Sequence, residues 1–326
     1  MFQRSRKVSA GERVWILKKD WRRQLSISEQ KINFGTDGWR GIIAEDFTFE
    51  NLGRLAIRIS EFLSNKGKVC VGYDNRFFSP EYASFISSVL DEKGITVDLA
   101  DKAVTTPCVS HRTNRNGYDL GIMISASHNP AQYNGIKIKE KYGGSARQEL
   151  VDSIIENINS VNYSGSTWGR VYDGTINDWE PDYSKELDKV LPFSDIKVIC
   201  DYMHGSAYPY FDKAISAKGM GSVSLRSNRD PFFGGSNPEP KPATLTGLIQ
   251  MMKQENADIG FAFDGDGDRI ALVDEKARLL SSQVILAVLA YDMLDSGKRG
   301  NIVKTVAGTY LIDRIPSDIW SHTLSG

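Results

Sequence analysis

Long apolar runs and an excess of one charge are both missing from this sequence. No apolar stretch approaches the roughly 18 residues that a helix needs to span a bilayer. The 40 basic side chains nearly balance the 41 acidic ones, which leaves a formal charge of -1. Such a balance provides no electrostatic footprint for nucleic acid or for an anionic membrane surface. We therefore expect no nucleic acid and no membrane among the partners.

Cysteine is scarce. The three cysteines, Cys70, Cys108 and Cys200, lie far apart and form no C-x-x-C pair. An odd number at this spacing argues against a disulfide framework and against a zinc site. A reducing compartment follows from this usage, so we expect a cytoplasmic location.

Three common catalytic signatures are also missing. The sequence contains neither a Walker A motif nor G-x-G-x-x-G, so a bound nucleotide is not indicated. It also lacks the G-x-S-x-G elbow of the α/β-hydrolases, which leaves a hydrolase triad poorly supported.

The first thirty residues differ from the rest in composition. Residues 1–30 hold eight Lys and Arg but only three acids. Their apolar run, residues 14–17, is too short for a signal peptide, and transit peptides usually have fewer acids. We expect residues 1–30 to form a basic, disordered leader.

Beyond the leader, short apolar runs alternate with helical patterns, as in parallel α/β sheets. Strands are predicted at residues 68–73, 95–99, 120–125, 196–201, 222–225, 258–263, 270–273 and 301–306. Helices are predicted at residues 80–92, 145–160, 208–218, 244–256, 282–295 and 309–315, the first with Ser79 as its N-cap. A Gly-, Ser- and Asn-rich stretch at 159–180 predicts a connection between domains. The fold class expected is α/β, as tandem α/β/α sandwich domains with mixed, mostly parallel sheets.

The strongest local signal is the segment DGDGDR at residues 264–269. Asp264, Asp266 and Asp268 alternate with glycines, which tolerate the positive φ of a backbone wrapped around one ion. Oxygen ligands of this kind suit Mg²⁺, which also keeps positions open for water or a phosphate oxygen. Arg269 follows directly and offers a bidentate contact for a phosphate.

Two other interpretations of this segment were weighed. In a calcium-binding EF-hand, the sixth loop position must be glycine, but here it is Arg269, and the flanking residues are strand-like rather than helical. The calcium-binding module is therefore disfavoured. A solvated acidic turn without an ion is the simpler alternative, and the two interposed glycines argue against it.

The second signal is SASHNP at residues 125–130. It follows a predicted strand, at the sheet edge where open α/β folds bind their ligands. Ser127 could act there as a nucleophile or as a phosphate carrier. Taken alone, however, the segment fits an Asn-Pro turn better, because neighbouring side chains such as Ser127 and His128 need not face each other.

Two weaker signals accompany these. FGTDGWRG at residues 34–41 is a glycine-rich loop that contains Arg40, and NGIK at residues 134–137 ends in Lys137. Each is more often structural than catalytic when it occurs alone.

Together, and in this order, the motifs resemble the α-D-phosphohexomutase family, in particular its phosphoglucomutase/phosphomannomutase branch. FGTDGWRG opens the first domain, GIMISASHNPAQYNGIK holds the phosphoserine loop and FAFDGDGDR is the metal loop. The resemblance covers roughly residues 31–315.

The resemblance implies a role for each candidate residue. Ser127 would carry the phosphoryl group, and the Mg²⁺ ligands would be Asp264, Asp266, Asp268 and an oxygen of phosphorylated Ser127. Arg40 and Arg269 would lie near the transferring group. Lys137 would be a general acid/base, and His128 would orient the serine loop.

The resemblance also implies an activity. Members interconvert hexose 1-phosphates and hexose 6-phosphates, here of glucose or mannose, through a hexose 1,6-bisphosphate. The phosphosugar is then the expected partner, with Mg²⁺ as cofactor and the bisphosphate as activator and intermediate. Two alternatives stay open: a phosphoglucosamine mutase, and a non-catalytic remnant that binds metal or phosphosugar.

Family members have four domains, which sets the expected domain division. We expect domain 1 at residues 31–175, domain 2 at 180–297 and a truncated start of domain 3 at 298–326. The sugar-reading loop and the distal phosphate loop of the family are not found. We therefore expect the chain to bind Mg²⁺ and accept phosphate on Ser127, but to turn over poorly alone.

Overall fold

The computed structural model describes residues 32–35, 37–166, 170–191, 195–298, 300, 302–305 and 308–315. The predicted leader, residues 1–30, lies outside the described residues. The strands are β1 Trp39–Ile42, β2 Lys68–Tyr73, β3 Thr96–Ala100, β4 Leu120–Ile124, β5 Tyr133–Glu140, β6 Thr175–Asn177, β7 Lys197–Asp201, β8 Gly221–Leu225, β9 Ile259–Phe263 and β10 Ile270–Val273. The helices are α1 Phe49–Phe62, α2 Ser79–Glu92, α3 Thr106–Arg115, α4 Gln148–Ile155, α5 Glu180–Val190, α6 Tyr210–Ala217, α7 Thr246–Glu255 and α8 Ser282–Asp295.

The strands form two sheets. The first has the order β1-β5-β4-β2-β3-β6, and β4, β2, β3 and β6 run parallel to one another while β1 and β5 pair antiparallel. The second has the order β10-β9-β7-β8, in which only β10 pairs antiparallel. The prediction of an α/β fold with mixed, mostly parallel sheets is confirmed.

Helices cover both faces of the first sheet. Along β2, Val69 and Val71 belong to the core shared with α1 and α2, whereas Cys70 belongs to the core shared with α3. Successive residues of a strand point to opposite faces, so β2 must be buried on both sides. This arrangement is the predicted α/β/α sandwich.

The second sheet is built in the same way. Ile199 of β7 packs in the core that includes Leu248 and Met252 of α7. Its neighbours Val198 and Cys200 pack in the core on the other face. None of the helices among the described residues has both the length and the hydropathy needed to cross a membrane.

The predicted N-cap at Ser79 is wrong. Helix α2 begins at Ser79 itself, and the cap position is held by Phe78 with a φ of 62° and no side-chain cap. The Ser79 hydroxyl instead donates to the carboxylate of Asp74, at 2.6 Å. Asp74 is fully buried directly after β2. A buried carboxylate without hydrogen-bond donors is costly, so the Ser79 hydroxyl bonds to Asp74 rather than capping the helix.

Four further predictions need correction. The helix predicted at 145–160 is α4 followed by a separate 3₁₀ turn at Ile158–Ser160, because Asn157 takes a left-handed φ of 56°. The interdomain stretch 159–180 supplies β6, which pairs with β3. Residues 302–305 form no strand, and the helix predicted at 309–315 is a 3₁₀ turn at Ile312–Arg314. A strand needs a neighbour to bond with, and sequence periodicity alone does not provide one.

The core of the first sheet offers a test of this packing. Leu55 of α1 has no exposed surface. We expect Leu55→Ala to lower the free energy of unfolding by about 2–5 kcal/mol, because it leaves a cavity among close-packed side chains. Urea denaturation measures this change. Val190→Ala, at a side chain 74% exposed, is the control and should stay within about 0.5 kcal/mol. Equal effects of the two changes would contradict the assigned core.

Candidate active site

Two loops from different sheets meet at the carboxyl ends of their strands. Ser127 lies in the loop after β4, and Asp264 lies in the loop after β9. The Ser127 hydroxyl donates to Oδ2 of Asp264 at 2.7 Å, although 137 positions separate the two residues. Both side chains are buried. The structure therefore brings together the two segments that carried the strongest sequence signals.

The serine loop holds Ser127 in an unusual backbone conformation. Its φ is 53°, in the left-handed region that few non-glycine residues adopt. Its N–H donates to the hydroxyl of Ser125 at 2.8 Å. Nδ1 of His128 lies 3.3 Å from the Ser127 hydroxyl oxygen. Burial lowers the pKa of His128, as do the nearby charges of Arg269 and Arg40, so the neutral imidazole is favoured at pH 7.

The second loop is folded around Asp264. Its Oδ1 accepts hydrogen bonds from the backbone N–H groups of Asp268 and Arg269, each at 3.1 Å. Gly267 has a φ of 67°, which glycine adopts without strain. A Cβ at Gly265 would lie 2.5 Å from the carbonyl oxygen of Ser127. The glycines thus allow both the tight turn and the close approach of the serine loop.

The three aspartates predicted as metal ligands converge. One carboxylate oxygen from each of Asp264, Asp266 and Asp268 lies within 4.8 Å of the others. Asp264 and Asp266 are fully buried, and Oδ1 of Asp266 has no hydrogen-bond partner among the described residues. A buried orphan oxygen in an oxygen-only donor set fits a hard divalent cation such as Mg²⁺.

The charges of the cluster are unevenly balanced. Burial raises the pKa of Asp264, and repulsion from Asp266 and Asp268 raises it further, against the hydrogen bond from Ser127. Burial would also raise the pKa of Asp266, but the charge of Lys137 and hydrogen bonds from Lys137 and Thr106 outweigh it and lower that pKa. A bound cation would offset the repulsion at Asp264.

Lys137 lies inside this cluster. Its Nζ is 2.7 Å from Asp268, 2.8 Å from Asp266 and 2.9 Å from Asp37. Burial works to lower the pKa of Lys137, but the three carboxylates outweigh burial and raise it, so the amine is held protonated. Asp37 is a contact that the sequence did not predict, although its motif FGTDGWRG was noted.

Of the two candidate arginines, Arg40 contacts the serine loop and Arg269 belongs to the metal loop. Nη1 of Arg40 donates to the side-chain oxygen of Asn129 at 2.8 Å, and Nη2 lies 3.5 Å from Asp37. Arg269 follows the last aspartate, and its charge acts on His128. All of the predicted site residues therefore gather around one position, between the ends of β4 and β9.

Arg76 was not predicted, yet it organises the serine loop. Its side chain has no exposed surface. It donates to the backbone carbonyls of Ser127 (2.5 Å), Asn129 (2.7 Å), Pro130 (2.9 Å) and Tyr133 (3.1 Å). Its Nε lies 3.2 Å from Asp74. One sequence feature could have indicated Arg76: it lies in the polar segment that directly follows the buried strand β2, at the sheet edge where ligands bind.

Polar and aromatic contacts tie the two sheets together beside the site. The side-chain amide of Asn75 donates to the carbonyls of His204 and Gly205, at 3.0 and 2.9 Å. The Tyr210 hydroxyl donates to the carbonyl of Ala103 at 2.9 Å. The Arg76 guanidinium also stacks on the ring of Phe233, 4.8 Å from its centroid. The site is therefore formed at a seam between two sheets.

Two family models match this chain. The family model for phosphoglucomutase/phosphomannomutase alpha/beta/alpha domain I matches residues 31–164, and that for domain II matches residues 181–277. The chain belongs to the phosphoglucomutase/phosphomannomutase family. Members of this family are isomerases that act as phosphotransferases.

Individual relatives are similar over most of this chain. A protein of Methanothermobacter thermautotrophicus, assigned as a phosphoglucosamine mutase, is 32% identical over 87% of this chain and 62% of its own length. A phosphoglucomutase/phosphomannomutase of Thermococcus kodakarensis is 30% identical over 86% of this chain and 64% of its own. The chain thus spans less than two thirds of the length of these relatives.

A solved structure has the same fold. It is that of a Thermus thermophilus protein assigned as a phosphomannomutase, with a TM-score of 0.79 and 31% identity. The match covers 87% of this chain and 66% of that chain.

The buried arginine gives a test of how the serine loop is held. We expect Arg76→Ala to lower the free energy of unfolding by about 3–5 kcal/mol, because it leaves the buried carboxylate of Asp74 without its ion-pair partner. Denaturation in urea measures the loss. Lys189→Ala, which removes an exposed lysine paired with Glu186, should change little. An Arg76→Ala protein as stable as the wild type would contradict the assigned role.

Proposed function

We propose that this protein is a phosphohexomutase in which Ser127 carries the phosphoryl group between the 1- and 6-positions of a hexose. The supporting observation is the hydrogen bond of 2.7 Å from Ser127 to Asp264, which sets a nucleophilic hydroxyl against a cluster of carboxylates. A serine hydroxyl is a weak nucleophile on its own, and we infer that the charged groups around Ser127 allow it to accept and release a phosphoryl group.

The metal proposed for the site is Mg²⁺. Asp264, Asp266 and Asp268 would hold it, together with an oxygen of phosphorylated Ser127. When bound, the ion supplies Lewis acidity and neutralises charge on the phosphoryl oxygens. The oxygen-only donor set and the orphan Oδ1 of Asp266 support this choice.

The remaining residues have proposed roles in transfer. When phosphoserine phosphorylates a sugar, the bond from phosphorus to the Ser127 oxygen breaks and a bond to the sugar oxygen forms. One proton moves from the sugar hydroxyl to the serine oxygen overall. Lys137 is the proposed general acid/base for that exchange: its protonated amine would donate to the Ser127 oxygen, and the amine left by that donation would take the proton of the sugar hydroxyl.

Positive charge and loop geometry complete the proposal. Arg40 and Arg269 would contact the oxygens of the transferring group, where guanidinium groups bind bidentately. His128 would orient the serine loop through its contact with the Ser127 hydroxyl. The first product would be a hexose 1,6-bisphosphate, which reorients and returns its other phosphate to Ser127.

Two classes of hexose phosphate are candidate substrates. We propose glucose or mannose phosphates as substrates, in line with the phosphoglucomutase/phosphomannomutase motifs of the sequence. Glucosamine phosphates are the second candidate, because relatives with 32% identity are named phosphoglucosamine mutase. Transfer of labelled phosphate from Ser127 to glucose 6-phosphate and to glucosamine 6-phosphate, measured side by side, distinguishes them without requiring full turnover.

The division of the chain and its location belong to the same proposal. We propose domains at residues 31–175 and 180–297, with 298–326 as the start of a third. The two separate sheets support a division into two, although β6 continues the first sheet to residue 177. A cytoplasmic location is supported by the three cysteines, which are buried free thiols.

Phosphate transfer to the serine can be tested directly. With glucose 1,6-bisphosphate labelled in its phosphates and with Mg²⁺, we expect the wild type to take up label and Ser127→Ala to take up none, because no other hydroxyl occupies its place. Mass spectrometry of peptides locates the label. Ser153→Ala, which removes a serine hydroxyl from the surface of α4, is the matched control and should label normally. An unlabelled wild type, or label retained in Ser127→Ala, would overturn the proposal.

The metal site has a separate test. Asp264→Asn keeps the shape of the side chain but removes a charge that its neighbours repel, so we expect weaker Mg²⁺ binding without a lower melting temperature. Isothermal titration calorimetry gives the affinity and calorimetric melting gives the stability. Asp292→Asn, on the exposed surface of α8, should alter neither. Unchanged Mg²⁺ affinity in Asp264→Asn would remove the carboxylate cluster from the proposal.

A further inference from the structure

Thr106 belongs to the layers of the first sheet but bonds to the metal loop of the second. It is the first residue of α3 and is buried. Its N–H donates to the backbone carbonyl of Asp266 at 2.9 Å. Its hydroxyl donates to Oδ2 of the same residue at 2.6 Å. No sequence motif drew attention to this threonine.

The helix itself does not need the Thr106 hydroxyl. The N-cap of α3 is Thr105, whose side-chain oxygen accepts from the N–H of Cys108 at 3.2 Å. Capping is therefore complete without Thr106. The hydroxyl of Thr106 is left to serve Asp266, 160 positions away in the sequence.

Asp266 is held by one of its two oxygens. Oδ2 accepts from Thr106 and lies 2.8 Å from Nζ of Lys137. Oδ1 is buried and has no partner among the described residues. An oxygen that is buried and unpaired costs free energy unless a ligand completes its coordination. Because both donors bond to Oδ2, Oδ1 stays available to that ligand.

Lys137 alone cannot fix this orientation. Its Nζ is shared among the carboxylates of Asp266, Asp268 and Asp37, so it is not dedicated to Asp266. Thr106 is β-branched and stiff at χ1, and its backbone also bonds to Asp266. Thr106 therefore fixes the orientation of the Asp266 carboxylate, while Lys137 supplies the positive charge beside it.

We propose that Thr106 is a positioning residue that holds Asp266 by Oδ2, so that Oδ1 remains the oxygen that binds the divalent cation. The inference rests on the metal site of the proposed function and adds a residue outside it. Hydrogen bonds of this kind orient metal ligands, and their loss weakens metal affinity by about 10- to 100-fold.

The test compares metal affinity among variants of the whole chain. Mn²⁺ serves as the probe, because its free concentration is measured directly by electron paramagnetic resonance. Thr106→Val keeps the shape and removes the hydroxyl, so we expect the Kd for Mn²⁺ to rise about 10-fold or more. Thr106→Ser restores the donor and should bind as the wild type does. Thr106→Cys, a weak donor, should fall between the two.

Two controls separate positioning from a general loss of structure. Thr113→Val removes another buried hydroxyl of α3, one that donates to the carbonyl of Val109 at 2.7 Å. Tyr210→Phe removes a different hydrogen bond between the two sheets, to Ala103. Both changes can lower the melting temperature, but neither should change the Kd for Mn²⁺.

The outcomes distinguish this inference from the proposed function. If the wild type does not bind Mn²⁺, the metal site itself is wrong. If the wild type binds and Thr106→Val binds equally well, only the positioning role is overturned. Should Thr106→Val fail to fold, Thr106→Cys and Thr106→Ser decide: equal weakening in both would overturn the role, because serine keeps the hydroxyl.

Discussion

The hydrogen bond between Ser127 and Asp264 is the contact on which the rest of the site depends. It requires the carboxyl ends of β4 and β9, from different sheets, to lie against each other. Gly265 makes this possible, because a Cβ there would lie 2.5 Å from the Ser127 carbonyl oxygen. The glycine between the first two aspartates thus permits the approach of the serine loop, while Gly267, with its φ of 67°, permits the turn of the metal loop.

The distribution of charge explains why a cation belongs beside the serine. Lys137 bonds to Asp266 and Asp268, so two of the three converging carboxylates already have a cationic partner. Asp264 has only hydrogen bonds from Ser127 and from two backbone N–H groups among the described residues. Negative charge is therefore least compensated at the aspartate that contacts the nucleophile. A phosphoryl group on Ser127 would add more negative charge at the same place, which increases the need for a metal.

Sequence patterns predicted the parts of the site that are contiguous. The alternating aspartates and the loop at residues 125–130 are each short enough to be recognised, and the strands that carry them were placed to within a residue or so. Ser79 was misassigned because its actual partner, Asp74, becomes buried only in the folded protein. Arg76 and Thr106 could not be found in this way, because their partners lie 51 to 57 and 160 positions away.

These long-range contacts change how the two loops should be understood. Arg76 holds four carbonyls of the serine loop and also stacks on Phe233, in the turn between β8 and α7. Thr106 likewise extends from a helix of the first sheet to the metal loop of the second. Each loop is therefore shaped partly by the other sheet. It follows that the seam supports both the phosphate carrier and the metal ligands, and that neither loop has its full set of contacts within one sheet and its helices.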